Sequence, residues 1–237
     1  FFLPFNMGCG EGIQVGAGNP LLEDEYSVHY MWDDILQKDS LLEILGKFMF
    51  IEVSEKEDAN GKVKKNETVI FPRYHQLSVV KSLLSDAKRD GVGGRYLIQH
   101  SAGSGKSNSI AWLAHQLVTL KNDSGKEIFD TVIVVTDRIN LDKQIKDTIK
   151  QFMQVSATVG WAKSAGELKQ LLNEGKKIII TIVHKFQFIL DDIGEVHKDK
   201  NFAILIDEAH SSQNGSLSAK MNMVLSGSVY DDEDDIV

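Results

Sequence analysis

The chain has a single cysteine, Cys9, in 237 residues. One thiol excludes an internal disulfide and a multi-cysteine zinc site, and it fits a reducing compartment. Long apolar runs are missing too. None approaches the roughly 18 residues of a membrane span, so no membrane partner is expected and a cytoplasmic location is. Basic charge is in deficit: 26 Lys+Arg against 34 Asp+Glu leave a net charge of −8. Composition therefore carries no nucleic-acid footprint. Part of the acidity is local, in Asp231-Asp-Glu-Asp-Asp235, which reads as a solvated linker rather than a metal cluster. The chain opens on Phe1 without the layout of a signal peptide, as an internal piece of a longer protein does. What is present, 42% hydrophobic and 25% charged residues, is ordinary for a globular protein. The length suits one large domain, or one domain with a partial neighbour.

Glycines crowd the first 20 residues, at Gly8, Gly10, Gly12, Gly16 and Gly18 before Pro20. No strand-turn-helix pattern surrounds them, so they read as a linker. Met31, Ile35, Leu36, Leu41, Leu42, Leu45 and Phe48 recur at helical spacing, with Asp39 or Ser40 as a possible cap. Phe48-Met-Phe-Ile-Glu-Val53 reads as a strand, and Ser54 to Asn66 as an exposed hairpin or loop turning at Asn60-Gly61. A core domain is expected from Thr68. Pro72 marks a helix entry, and Leu77, Val80, Leu83, Leu84 and Ala87 form one face of a helix over 74–89. Beyond Gly91, Gly93 and Gly94, strands and helices alternate. Strands are expected over 95–100, 131–136, 178–183 and 202–207, with helices over 106–121, 140–153, 164–174 and 184–193. The strands are continuous apolar runs, as strands covered on both faces are. The expectation is a three-layer α/β domain with a mostly parallel sheet over 68–237, preceded by a mixed helical and linker segment over 1–67.

The chemistry gathers at Ser101-Ala-Gly-Ser-Gly-Lys-Ser107. An apolar run, a glycine-rich turn, Lys-Ser and a helix together make a phosphate-binding loop. Gly103 and Gly105 let backbone N–H groups point inward, with Ala102 and Ser104 between and before them. Lys106 can reach the β- and γ-phosphates, and the Ser107 hydroxyl suits Mg²⁺. The full consensus has glycine where this chain has His100. Further on, Phe202-Ala-Ile-Leu-Ile206 runs into Asp207-Glu208-Ala209-His210. Carboxylates at the C-terminal edge of a sheet are costly unless they meet a cation or water, and ligands of open α/β sheets sit at that edge. Asp207 suits the Mg²⁺, Glu208 the attacking water as general base, and His210 coupling of the nucleotide state to neighbouring segments. An Asp-Glu pair that merely caps a helix is the plainer reading of that half alone. Glu167-Leu-Lys169 lies in a helix whose inner face is Leu168, Leu171 and Leu172, and reads as solvated surface.

On Ala102-Gly-Ser-Gly-Lys-Ser107 and Asp207-Glu-Ala-His210 the chain resembles superfamily 2 helicases and translocases. More narrowly it resembles the restriction (R, motor) subunit of type I restriction-modification enzymes. That resemblance extends through Phe2-Leu-Pro-Phe-Asn6, Gly16-Ala-Gly-Asn-Pro20, Tyr30-Met-Trp32, Arg73-Tyr-His-Gln76, Val132-Ile-Val-Val-Thr-Asp-Arg138, His184-Lys-Phe186 and Ser211-Ser-Gln213. It implies the first RecA-like ATPase domain of a motor using ATP and Mg²⁺, with Arg73 and Gln76 at the adenine. It implies duplex DNA as partner, contacted through Thr136, Asp137, Arg138, Thr181, His184 and Lys185, together with modification and specificity subunits. The family's nuclease core is expected upstream of Phe1. The second RecA-like domain, with its arginine finger, is expected downstream, as is a strand that inserts between those of Ile98 and Ile206. The resemblance therefore implies a lobe that is weak or inactive alone. Two other readings fit the residues: a lobe of another superfamily 2 helicase, and a non-catalytic nucleotide-binding module.

Overall fold

The structure, a computed structural model, describes residues 5–8, 18–20, 22–57, 63–101, 103–136, 159–162, 164–186 and 199–207. For 54–57, 63, 184 and 185 it describes the backbone alone. The expected helix over 140–153, the Asn60-Gly61 turn and the acidic run at 231–235 lie outside the described residues.

The centre is a four-stranded sheet. Its strands are β3 (Thr131–Thr136), β4 (Val159–Trp161), β5 (Ile178–Ile182) and β6 (Phe202–Ile206). Their order is β4-β5-β3-β6, and every pairing is parallel. The register sets Val132 beside Ile178 and Ala203, and Val134 beside Ile180 and Leu205. Because successive side chains point to opposite faces, one face carries Val132, Val134, Ile178 and Ile180 into a core with α2 (Tyr74–Asp90) and α3 (Lys106–Val118). The other carries Ile133, Val135 and Ile179 into a second core with Leu168 and Leu172 of α4 (Ala165–Asn173), and with Val183 and Phe186 of α5 (Val183–Phe186). Helices on both faces of a parallel sheet make the three layers expected from the unbroken apolar runs. Each fully buried Val or Ile contributes about 1.5–3 kcal/mol.

Several elements differ from expectation. The run 95–100 is not a strand: Tyr96, Leu97 and Ile98 are 46, 87 and 42% exposed. A strand exists only where a neighbour completes its ladder, and among the described residues the sheet ends at β6. Three-residue β4 was not anticipated; it is too short to show a pattern. Ser164 caps α4 by accepting from Glu167 N at 3.2 Å. In contrast, α1 (Lys38–Lys47) starts at Gln37 without a side-chain cap, so neither Asp39 nor Ser40 serves there. A π-helical turn, Met31–Ile35, precedes it.

The hairpin expectation holds in extended form. β1 (Phe50–Glu57) and β2 (Val63–Ile70) pair antiparallel, with Phe50 opposite Ile70. Among the described side chains of the hairpin only that base packs on the core, while Ile51, Val53 and Val69 face solvent. The glycine-rich opening is tied at its described ends: Gly8 N donates to Gly18 O at 2.9 Å, and Met7 N to Asn19 Oδ1 at 2.8 Å. The Tyr30 hydroxyl donates to Phe5 O and lies 3.1 Å from Asn19 Oδ1.

Trp112 joins these preceding segments to the domain. It is fully buried on α3, its Nε1–H donates to Phe48 O at 2.7 Å, and its ring meets Phe48 and Phe50. Trp112→Phe leaves the Phe48 carbonyl without this donor, a loss of about 1–3 kcal/mol. Trp112→Ala adds a cavity, for about 3–5 kcal/mol. Urea unfolding followed by circular dichroism checks both, and the alanine variant should have the lower midpoint.

Candidate functional site

The phosphate-loop motif lies between Gly94 and α3. Gly103 takes φ +73° and Gly105 φ +85°, left-handed conformations that cost an L-residue roughly 1–2 kcal/mol. Gly105 is the N-cap of α3, and no side chain caps that end. An uncapped helix start offers its first-turn N–H groups and the positive end of its dipole to an anion.

The first turn of α2 forms the wall behind the loop. Gln76 is buried, with 3% of its surface exposed. Its Oε1 accepts from Arg73 N at 2.8 Å, while its Nε2 donates to Ser104 O at 3.2 Å and Gly105 O at 2.9 Å. Gln76 N donates in turn to Arg73 O at 3.0 Å, so one side chain closes the helix start and grips the loop. Both amide N–H groups are thereby committed. A Cβ at Gly105 would run into the Gln76 amide, so this glycine is required for space as well as for its φ.

Two imidazoles meet the same loop. His75 Nε2 lies 3.2 Å from Ser104 O, and His100 Nδ1 lies 3.1 Å from Ser104 Oγ. Their rings make an edge contact with centroids 5.4 Å apart. His100 is half-buried. Burial pushes its pKa below the ordinary value, and the nearby His75 and Lys106 push the same way.

Lys106 and Ser107 open α3 and are half-buried. Ile128 N donates to Leu120 O at 3.0 Å, folding the connection from α3 to β3 back on itself. Helix α3 thus runs against the strand direction on β3, β5 and β6. Thirteen helical residues span about 20 Å, the length of β3, so Lys106 comes to the C-terminal edge of the sheet. Asp207 directly follows β6 at that edge. It is 5% exposed, and its N–H donates to Val135 O at 2.9 Å.

The remaining predicted residues divide. Arg73 is exposed at the α2 N-cap, beside Gln76. Ala102, Asp137, Arg138, Glu208 and His210 lie outside the described residues, as do the side chains of His184 and Lys185. Thr136 and Thr181 are fully buried, with their hydroxyls 3.5 Å from the carbonyls of Thr181 and Ala162. These two hydroxyls serve the sheet interior. The imidazole contacts at Ser104 went unread in the sequence; the one signal for them was His100 in a glycine's place.

The described residues fit a nucleotide polyphosphate with Mg²⁺. The glycine cradle and helix start suit phosphate oxygens, and Lys106 supplies a cation. Mg²⁺ binds through one or two protein oxygens together with the phosphates and water, for which Ser107 and Asp207 offer a hydroxyl and a carboxylate. Among the described residues no cluster of three His, Cys, Asp or Glu is arranged for a metal, and such a Mg²⁺ site needs none.

The profile of the SWI2/SNF2 ATPases matches residues 75–230, more than half of the chain. The chain belongs to the SWI2/SNF2 ATPase family. Membership of the SWI2/SNF2 ATPases implies nucleotide use. The chain is 26% identical over 87% of its length to a putative type I restriction enzyme MjaVIIIP endonuclease subunit of Methanocaldococcus jannaschii. It is 29% identical over 76% of its length to the type I restriction enzyme HindI endonuclease subunit of Haemophilus influenzae. The chain spans 22% and 17% of those two proteins. Of a C-terminal part of a putative type I restriction enzyme endonuclease subunit from Mycoplasma pneumoniae, 23% identical, it spans 92%. In fold it is similar to the crystal structure of the UvsW helicase from bacteriophage T4. That match has a TM-score of 0.50 and 16% identity, and covers 80% of this chain and 56% of the helicase. No described helix is long and apolar enough to cross a membrane.

The lowered pKa of His100 has a consequence for stability. The unfolded chain takes up a proton near pH 6.5, before the folded chain does. Stability is full above that value and falls as pH drops through it towards the folded pKa. Acidification from about pH 7.5 to about 5.5 should lower the thermal midpoint of the wild type more than that of His100→Asn. Differential scanning calorimetry checks this, and equal shifts would contradict it.

Proposed function

We propose that this chain is the nucleotide-binding lobe of the DNA-translocating motor in a type I restriction endonuclease subunit. ATP with Mg²⁺ occupies the loop at 102–107, and its hydrolysis drives translocation along duplex DNA before a separate nuclease domain cuts. The observation that carries the reading is the left-handed Gly103 and Gly105 at the uncapped start of α3, gripped from behind by Gln76. The relatives named as type I restriction endonuclease subunits support the choice of motor.

Each residue then has a task. Backbone N–H groups around Gly103, Ser104 and Gly105 bind phosphate oxygens. Lys106 neutralises the β- and γ-phosphates, and Ser107 and Asp207 hold Mg²⁺. Glu208, which follows the buried Asp207, takes the proton of the attacking water as general base. His210 couples the site to neighbouring segments. Arg73, exposed beside Gln76, is placed to meet the base of the nucleotide. Asp137, Arg138, His184 and Lys185, which follow β3 and β5 in the sequence, contact the DNA backbone. Since the chain is acidic overall, that contact should be weak alone and sensitive to salt. The working enzyme also includes modification and specificity subunits, and the full motor needs a second lobe to supply a cation across the cleft.

Calorimetry of Mg–ATP binding tests the site. Lys106→Ala should weaken binding by at least about tenfold, since it removes charge-assisted contacts worth about 1.5–3 kcal/mol. In the full-length polypeptide, Glu208→Gln should retain nucleotide binding and lose ATP turnover and DNA translocation. Unchanged translocation in that variant would favour a nucleotide-binding interaction module instead. Rapid ATP turnover by the 237-residue chain alone would contradict its reading as half of a motor.

A further inference from the structure

The proposed nucleotide site uses neither imidazole, yet both converge on one residue. Ser104, only 7% exposed, is held at its carbonyl by His75 Nε2 (3.2 Å) and at its hydroxyl by His100 Nδ1 (3.1 Å). A carbonyl oxygen only accepts, so the His75 contact requires the proton on Nε2. The peptide group is planar and trans, so its C=O and N–H point to opposite sides. Holding Ser104 O towards α2 therefore turns Gly105 N–H away from α2. The Ser104 hydroxyl, tied to His100, cannot swing round to cap that N–H. His100 stands where the general consensus of phosphate loops has glycine. In this chain a ring occupies the place, and its Nδ1 and the edge contact with His75 give it work to do.

We infer that His75 and His100 are positioning residues of the phosphate loop: His75 orients the Ser104–Gly105 peptide, and His100 fixes the Ser104 side chain. They act through Ser104 and make no claim on the nucleotide. Gln76 shares the Ser104 carbonyl, so the two donors from α2 reinforce one another. The inference rests on the nucleotide-binding reading of the loop and adds two residues to its machinery.

Side-chain amides separate the two ring nitrogens. Glutamine places its amide nitrogen near the position of imidazole Nε2, and asparagine places its amide near that of Nδ1. The structure therefore predicts a crossed pattern in the full-length polypeptide. His75→Gln and His100→Asn should retain wild-type affinity for Mg–ADP and for inorganic pyrophosphate with Mg²⁺. His75→Asn and His100→Gln should weaken both by about three- to tenfold, the worth of one hydrogen bond. A loss of general stability would not follow which amide is used. Circular dichroism confirms that each variant is folded, and calorimetry reads the affinities. Equal affinity in all four variants, or equal loss in all four, overturns the inference while Lys106-dependent binding by the wild type leaves the nucleotide reading standing. Wild-type binding that is absent, or unaffected by Lys106→Ala, overturns both.

Discussion

The side-chain amide of Gln76 is the constraint on which the site depends. It is buried, and its oxygen and both its N–H donors are taken up by Arg73 N, Ser104 O and Gly105 O. A buried amide stripped of such partners costs about 1–3 kcal/mol, so the helix start and the loop are ordered together or not at all. That coupling turns a glycine-rich segment, entropically costly to fix, into a formed cradle. It also places the cradle at the head of α3, which the sheet holds from below. Packing of Trp112, Leu113 and Ala114 in the core sets the height of α3 above β3 and β5, and hence the position of Lys106 over the sheet edge.

Much of the fold was legible because burial on both faces leaves a simple trace. Thr131-Val-Ile-Val-Val-Thr136 and Ile178-Ile-Ile-Thr-Ile182 have no polar alternation, and both became interior parallel strands. The same trace misled at Tyr96-Leu-Ile98. An apolar run records that side chains avoid water, but not whether a neighbouring strand stands ready to pair, and in this structure none does among the described residues. The helix over 74–89 was legible from its spaced Leu and Val residues, whereas the start of α1 was not. Asp39 and Ser40 have capping chemistry, yet the helix begins before them, with Gln37 at its N-cap, and Ile44 and Phe48 at its far end are buried in the core.

In the site, Gly103, Gly105, Lys106 and Asp207 stand out in the sequence by their motifs, and the fold gives both glycines the left-handed backbone such a motif needs. The resemblance points to Gln76 for the adenine, and in the fold its side-chain amide bonds Arg73 N and the carbonyls of Ser104 and Gly105. Its neighbour Arg73 remains exposed. Thr136 and Thr181 were read as loop-end contacts for DNA. Thr136 ends β3 and Thr181 lies one residue inside the end of β5, and both are fully buried, which the residue type alone does not reveal. The imidazole brace was unreadable for a different reason: its residues lie 25 positions apart in sequence, at 75 and 100, and meet only when α2 lies against the loop.

The most direct test of the account is a crystal structure of the full-length polypeptide with Mg–ADP. The account predicts the β-phosphate within the loop at 103–107, with Gln76 Nε2 still on the carbonyls of Ser104 and Gly105. A nucleotide bound elsewhere, or bound in this loop with Gln76 swung away from it, would contradict the claim that α2 holds the cradle in its binding form.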